Sequence, residues 1–372
     1  MSHHTFIAAM PHGIRPVVRA GHPDGVTLPA CKPSPVPSPV PSPPPGAAGP
    51  LIIGHRGAAG YRPEHTFASY ELAARLGADF LEPDLVSTKD GVLVARHEPE
   101  IGGTTDVARR PEFASRRATK TVDGQRVHGW FVEDFTLVEL RTLRAKERIP
   151  EVRRGNTLFD DRFEVPTFDE ILSLAAQLSH ELGRTIGVYP ETKNPTYFAD
   201  LGLALEPPLI ASLRAAGMDR PDAPVFVQSF ETGNLRELSA SISVPLVQLI
   251  DNVGAPYDLA ADGDDRDYRY LLTPDGLAEV SEYAHAIGPC KDLLIAPDGV
   301  ETGAVADAHA EGLAVHAYTF RNENRFLPAD LRSSGGPNDP GDALGEVLRF
   351  VRAGVDGLFC DHPDTAVAAR SA

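Results

Sequence analysis

The chain carries an acidic pair, Glu82-Pro83-Asp84, inside the apolar run DFLEPDL (79–85). In an extended strand, residues two apart point to the same face, so the two carboxylates converge. Left alone they would repel, and one would hold a proton. A divalent cation resolves the repulsion, and ligation by oxygen alone favours Ca²⁺ or Mg²⁺ over zinc. Glu191 is the candidate third ligand. His55 and His97 end two further apolar runs. Imidazole titrates near neutrality, so the two rings suit proton transfer. Arg56 offers a planar fork that matches phosphate oxygens, and Lys193 adds a second positive charge. Cleaving a phosphodiester needs one group to deprotonate the nucleophile and one to protonate the leaving alcohol. This set could supply both.

These residues need elements that bring them to one place. From Leu51 onward, short runs rich in Val, Ile, Leu and Phe alternate with amphipathic stretches. The strand-like runs are 51–55, 79–85, 91–97, 186–191, 224–230, 244–250, 292–297, 313–320 and 356–361. Their composition suits strands buried on both faces. The stretches 66–78, 168–183, 205–217, 275–288, 303–312 and 342–354 repeat apolar residues at helical spacing, and several end in Gly. Strand–helix alternation repeated over residues 51–372 predicts an α/β fold, a (β/α)8 TIM barrel, with a doubly wound open sheet as the alternative. In such a barrel reactive groups belong at the C-terminal ends of strands. His55-Arg56, Glu82-x-Asp84, His97, Glu191-Thr192-Lys193, Gln228-Ser229-Phe230, His316-Ala317-Tyr318 and Asp361 all fall at such ends. Residues 102–165 are polar and turn-rich, too long for one connection, and read as an inserted excursion. The acidic stretch 251–270 lacks calcium-loop spacing and reads as a solvated loop.

Composition narrows the partners. The 372 residues carry a net charge of −17, which argues against nucleic acid or an anionic membrane surface. No apolar run is long enough for a transmembrane helix. Residues 1–50 end in PSPVPSPVPSPPPG, a tract that favours polyproline II and forms a semi-rigid spacer ahead of the barrel. Such a spacer points to a secreted or envelope-associated catalytic domain, although the leader makes a poor signal peptide and leaves a cytoplasmic enzyme open. Leu28-Pro29-Ala30-Cys31 loosely resembles a lipoprotein cleavage site. Cys290 and Cys360 could pair in an oxidising compartment or remain buried thiols. Oligomeric state is not legible.

The residues also carry a family resemblance. Ile53-Gly54-His55-Arg56-Gly57-Ala58 with Pro63-Glu64-His65-Thr66 resembles the opening motif of glycerophosphodiester phosphodiesterases. The resemblance continues at Phe80–Leu85, Thr88–Gly91, Val94–His97, Tyr189–Lys193, Gln228–Phe230, Val315–Thr319 and Gly357–Pro363. The insertion after His97 and the phrases Asp134–Leu137, Gly187–Glu191 and Gly288-Pro289 resemble in particular the periplasmic, calcium-using bacterial branch. The resemblance implies a TIM barrel that hydrolyses small-molecule glycerophosphodiesters, such as glycerophosphocholine, to sn-glycerol 3-phosphate and an alcohol. It implies a metal on Glu82, Asp84 and Glu191, with Ca²⁺ ahead of Mg²⁺. It further implies an acid–base pair of His55 and His97, a phosphate grip by Arg56 with Lys193 alongside, and a glycerol pocket walled by Phe230 and Tyr318. One departure stands out: the family usually has Asp after the second histidine, where this chain has Glu98. That substitution is expected to affect rate rather than reaction type. A related barrel acting on lysophospholipid or sphingolipid would need an apolar route for acyl chains, against which the polar insertion argues. A non-catalytic surface binding protein would have lost members of the set.

Overall fold

The computed structural model describes residues 49–372. The proline-rich tract, the Leu28–Cys31 motif and most of the 1–50 spacer lie outside these residues. Of the eleven strand segments in the main sheet, one runs antiparallel. Two pairs are single strands broken at a proline: Phe80–Glu82 with Asp84–Ser87 at Pro83, and Gly187–Val188 with Glu191–Thr192 at Pro190. Proline has no N–H to give the ladder, which explains each break. Both proline carbonyls still accept, from Glu191 N and Gln228 N at 2.9 Å. Eight parallel strands remain. In order they are Leu51–His55, the strand broken at Pro83, the strand broken at Pro190, Val227–Ser229, Leu246–Ile250, Ala286–Pro289, Ala314–Phe320 and Gly357–Cys360. Each pairs with the next, and Gly357–Cys360 pairs with Leu51–His55, which closes the barrel.

Alternation of side chains divides the apolar residues into two cores. Ile52, Leu81, Val188, Val227, Leu246, Ile287, Val315 and Leu358 point outward under the helices. Leu51, Ile53, Phe80, Tyr189, Phe226, Val247, Ala286 and Phe359 point inward and fill the barrel floor. Their aromatic rings interlock, with Tyr189 stacked on Phe226 at 4.8 Å and edge-on to Phe359 at 5.0 Å. Helix Phe168–Leu182 shows the outer packing. Its start is fixed by a capping box between Thr167 and Glu170, and it buries Phe168, Ile171, Leu172, Ala175 and Leu178. That spacing is one helical stripe, and truncating a ring such as Phe168 to Ala would cost about 3–5 kcal/mol.

Two expected strands differ from the structure. Residues 91–97 do not form a barrel strand: Leu93–Ala95 turns back antiparallel on Asp84–Ser87. Residues 292–297 form a 3₁₀ turn, Lys291–Leu293, and a loop. The sixth barrel strand is Ala286–Pro289, which the helical stretch 275–288 had absorbed; the helix itself is Pro274–Ser281. The insertion 102–165 is less polar in effect than in composition. It holds the hairpin Ala118–Val122/Gln125–Gly129 and sends Trp130, Phe131, Val132, Phe135, Leu140 and Leu143 into the outer core. Cys290 and Cys360 are free thiols. No helix among the described residues is long and apolar enough to cross a membrane.

Candidate active site

Inward positions change character along five of the strands. Apolar Leu51 and Ile53 lead to His55, Phe80 to Glu82 and Asp84, Tyr189 to Glu191 and Lys193, Phe226 to Gln228 and Phe230, and Phe359 to Asp361. The same parity that fills the floor therefore raises polar groups at the C-terminal mouth. His316 is the exception. It sits within the barrel, fully buried, with Nδ1 2.7 Å from the Tyr189 hydroxyl.

Glu82, Asp84 and Glu191 are buried and offer oxygens that all lie within 4.8 Å of one another. Glu82 accepts from the Arg56 backbone N–H at 2.7 Å and from Gln228 Nε2 at 3.3 Å. Asp84 Oδ2 faces His65 Nε2 at 2.8 Å and Arg56 Nε at 3.2 Å. Glu191 accepts from Lys193 Nζ at 2.7 Å. Burial and the neighbouring Asp84 carboxylate push Glu82 well above the usual range. Burial, with Asp84 again, pushes Glu191 up to about 8. Burial would also raise Asp84, but Lys193 and Arg56 outweigh it and hold it well below the usual range. The buried Asp84 Oδ1 has no partner. Three oxygen donors, a spare buried oxygen and two carboxyls displaced upward by burial beside Asp84 fit a divalent cation.

The two imidazoles stand beside this group, each backed by a carboxylate. His55 Nδ1 lies 2.6 Å from Asp361 Oδ1, and His97 Nδ1 lies 2.5 Å from Glu98 Oε2. Burial and Arg56 lower His55 to about 4. Burial, Arg56 and Lys193 lower His97 to about 3. Both rings are therefore neutral near pH 7. A carboxylate only accepts, so each Nδ1 carries the proton and each Nε2 is left as a lone-pair acceptor. The His97 Nε2 lies 3.4 Å from Lys193 Nζ. His97 reaches the site from the turned-back segment Leu93–Ala95 rather than from a barrel strand end. A cavity of about 130 Å³ brings His55, Arg56, Glu82, His97, Glu191 and Lys193 to one space. Phe230 and Tyr318 line it too, edge to face at 6.0 Å.

All nine residues singled out in the sequence meet at this mouth. Others were missed. His65 and Glu64 lay inside the quoted motif, yet no local pattern gave them a task. Arg148 and Arg153 come from the insertion, where neither periodicity nor strand ends point to them. Arg148 contacts Glu64 through Nε at 2.8 Å and Nη2 at 2.6 Å, and Glu98 through Nη1 at 2.8 Å. Arg153 contacts Asp361 at 2.5 Å, and Arg321 contacts the same oxygen at 3.0 Å.

Carboxylates fit for a cation, two imidazoles and a guanidinium around one cavity at a barrel mouth are the equipment of a phosphoester hydrolase. Comparison with known proteins agrees and narrows the class. The chain belongs to the glycerophosphoryl diester phosphodiesterase family, whose model matches residues 55–365. It is 36% identical to glycerophosphodiester phosphodiesterase GDPD6 of Arabidopsis thaliana, covering 84% of this chain and 83% of that one. It is 31% identical to the glycerophosphodiester phosphodiesterase of Haemophilus influenzae, covering 85% and 88%. Its fold is shared by an Oleispira antarctica phosphodiesterase solved in complex with the product sn-glycerol-3-phosphate, at TM-score 0.54 and 17% identity over 87% of this chain and 98% of that one. A glycerophosphoryl diester phosphodiesterase from Parabacteroides distasonis shares it at TM-score 0.51 and 18% identity over 88% and 87%.

Proposed function

We propose that this chain hydrolyses glycerophosphodiesters to sn-glycerol 3-phosphate and an alcohol, using a divalent cation held by Glu82, Asp84 and Glu191 and proton transfer by His55 and His97. The observation that carries the reading is the juxtaposition of the carboxylate trio with two imidazoles, each held at Nδ1 by a carboxylate. Similarity to named glycerophosphodiester phosphodiesterases over most of both chains supports the substrate class. A bound cation would neutralise the trio and polarise phosphoryl oxygens. Arg56 suits the remaining phosphoryl oxygens, since its planar fork lies beside Asp84, and Lys193 adds charge beside Glu191. One imidazole takes the proton of the attacking water or hydroxyl at Nε2, and the imidazolium so formed is stabilised by Asp361 or Glu98. The other imidazole is the acid. It must first be loaded with a proton at Nε2, which the anionic phosphodiester bound beside it favours, and it gives that proton to the leaving alcohol oxygen. Phe230 and Tyr318 offer apolar contact to the glycerol carbons.

Ca²⁺ ahead of Mg²⁺ is our reading of the resident ion, supported by the oxygen-only donors and by the resemblance to the calcium-using bacterial branch. A catalytic domain of residues 51–372 behind a 1–50 spacer, acting in the envelope or outside the cell, fits the proline-rich tract. The test is release of sn-glycerol 3-phosphate from a panel of headgroups, including lysophosphatidylcholine for the lipid-acting alternative. We expect release from glycerophosphocholine and its relatives, and loss of at least about 10²-fold in kcat for His55→Ala and His97→Ala. Normal turnover by either variant would refute the assignment.

A further inference from the structure

The insertion reaches the site at two points, and the two contacts have the same form. Arg148 Nη1 lies 2.8 Å from Glu98 Oε1, and the other oxygen of Glu98 lies 2.5 Å from His97 Nδ1. Arg153 Nη2 lies 2.5 Å from Asp361 Oδ2, and the other oxygen of Asp361 lies 2.6 Å from His55 Nδ1. Each imidazole thus ends a chain that runs from an arginine of the insertion through a carboxylate to Nδ1. Each arginine has a second anchor. Arg148 forks onto Glu64, and Glu64 also accepts from Arg56 at 3.1 Å. Arg153 donates to Glu323 at 2.8 Å and to the Ala59 carbonyl at 3.0 Å. The guanidiniums are held, so the carboxylates they grip are held.

We propose that Arg148 and Arg153 are positioning residues through which the insertion fixes the orientation of His97 and His55. The idea rests on the acid–base reading above. Its physical basis is that Nδ1 must stay tied to its carboxylate for Nε2 to face the cavity. A free ring flips between orientations and loses most of its effective concentration. A planar guanidinium suits this task because it can bond two acceptors in a fixed geometry, which a lysine ammonium does less well. Both arginines line one cavity of about 160 Å³ that lies behind His55 and Arg56. The insertion is accordingly the back wall of the site. The two chains differ in redundancy. Asp361 also accepts from Arg321, whereas among the described residues Arg148 is the one arginine or lysine paired with Glu98.

The test is the kinetics of glycerophosphocholine hydrolysis by Arg148→Ala, Arg153→Ala, Glu98→Gln, the double variant Arg148→Ala/Glu98→Gln, and His55→Ala and His97→Ala as references. We expect kcat to fall about 100-fold for Arg148→Ala and about 10-fold for Arg153→Ala, with KM changed less than about threefold. The double variant should be no slower than the slower of its two singles, because both break one chain. Thermal unfolding identifies variants that fail to fold. Arg148→Lys and Arg153→Lys replace these and should recover part of kcat. If the histidine variants are inactive while the arginine variants keep wild-type kcat, or if the Arg148 and Glu98 losses multiply, the proposal is overturned and the acid–base reading stands. If the histidine variants turn over normally, the reading falls and the proposal with it.

Discussion

His65 Nε2 lies 2.8 Å from Asp84 Oδ2. Asp84 is ionised, so the ring donates from Nε2, and its Nδ1 accepts from the Tyr70 hydroxyl at 2.7 Å. The imidazole is fully buried and sits at φ 54°, a left-handed conformation that non-glycine residues rarely adopt. Tyr70, His65 and Asp84 form a relay that fixes one carboxylate of the trio while its Oδ1 stays spare.

His65→Ala should therefore weaken cation binding more than chemistry. Partners that orient a ligand are worth about 10–100-fold in metal affinity. The half-saturating Ca²⁺ concentration for activity should rise by that factor, with turnover largely restored at saturating Ca²⁺. An unchanged half-saturating concentration would show that Asp84 needs no such support.

Asp361→Asn should act on turnover and on acid stability. The amide leaves His55 without an anionic partner and leaves Arg153 and Arg321 around a neutral group, so kcat should fall about 10²–10⁴-fold. Burial alone would raise the Asp361 carboxyl, but Arg153, Arg321 and His55 outweigh it and hold it well below the usual range. Burial likewise opposes, and His97 and Arg148 overcome it, to bring Glu98 down to about 2. A carboxylate lowered in the folded state adds stability above its unfolded pKa and loses it as pH falls through the folded value. Wild-type stability should begin to fall below about pH 6.5, where the unfolded chain protonates histidines that stay neutral when folded, His55 and His97 among them. It should fall more steeply below about pH 4, each unit of displacement being worth about 1.4 kcal/mol. Urea unfolding between pH 5 and pH 2 (buffer values for the experiment, spanning roughly the carboxylate range) should show a shallower decline in Asp361→Asn and Glu98→Gln. An equally steep decline in both would contradict the paired-carboxylate account.

How much of this was legible follows from where each residue sits. Glu82, Asp84, Glu191, His55 and Asp361 end inward-facing stretches of barrel strands, where strand parity and barrel geometry together mark them. His97 was found for a different reason than the structure gives, since its strand is a hairpin return rather than a barrel strand. Ala286–Pro289 was misplaced because a four-residue strand of Ala, Ile, Gly and Pro has little strand signal beside a helix. The apolar run 292–297 looked the better strand and folds as a turn. Arg148 and Arg153 were illegible because their role depends on where a long insertion folds back, which no local spacing encodes.

Phe230 tests the chamber wall. Its ring stands edge to face with Tyr318 and lies 5.4 Å from Lys193 Nζ. A wall that contacts the glycerol carbons would do so throughout the reaction, so removing it would cost substrate and transition state alike. Phe230→Ala should raise KM about 10-fold with kcat changed much less. A fall in kcat at constant KM would move Phe230 from the wall to the chemistry.

The central claim is that Glu82, Asp84 and Glu191 hold the cation that glycerophosphodiester hydrolysis needs. The direct measurement is sn-glycerol 3-phosphate release from glycerophosphocholine by chelated protein as Ca²⁺ or Mg²⁺ is added back, for the wild type and for Glu82→Gln and Glu191→Gln. The account predicts no release after chelation, recovery in the wild type with Ca²⁺ more effective than Mg²⁺, and little recovery in either variant. Undiminished release after exhaustive chelation, or full recovery by both variants at the wild-type cation concentration, would contradict it.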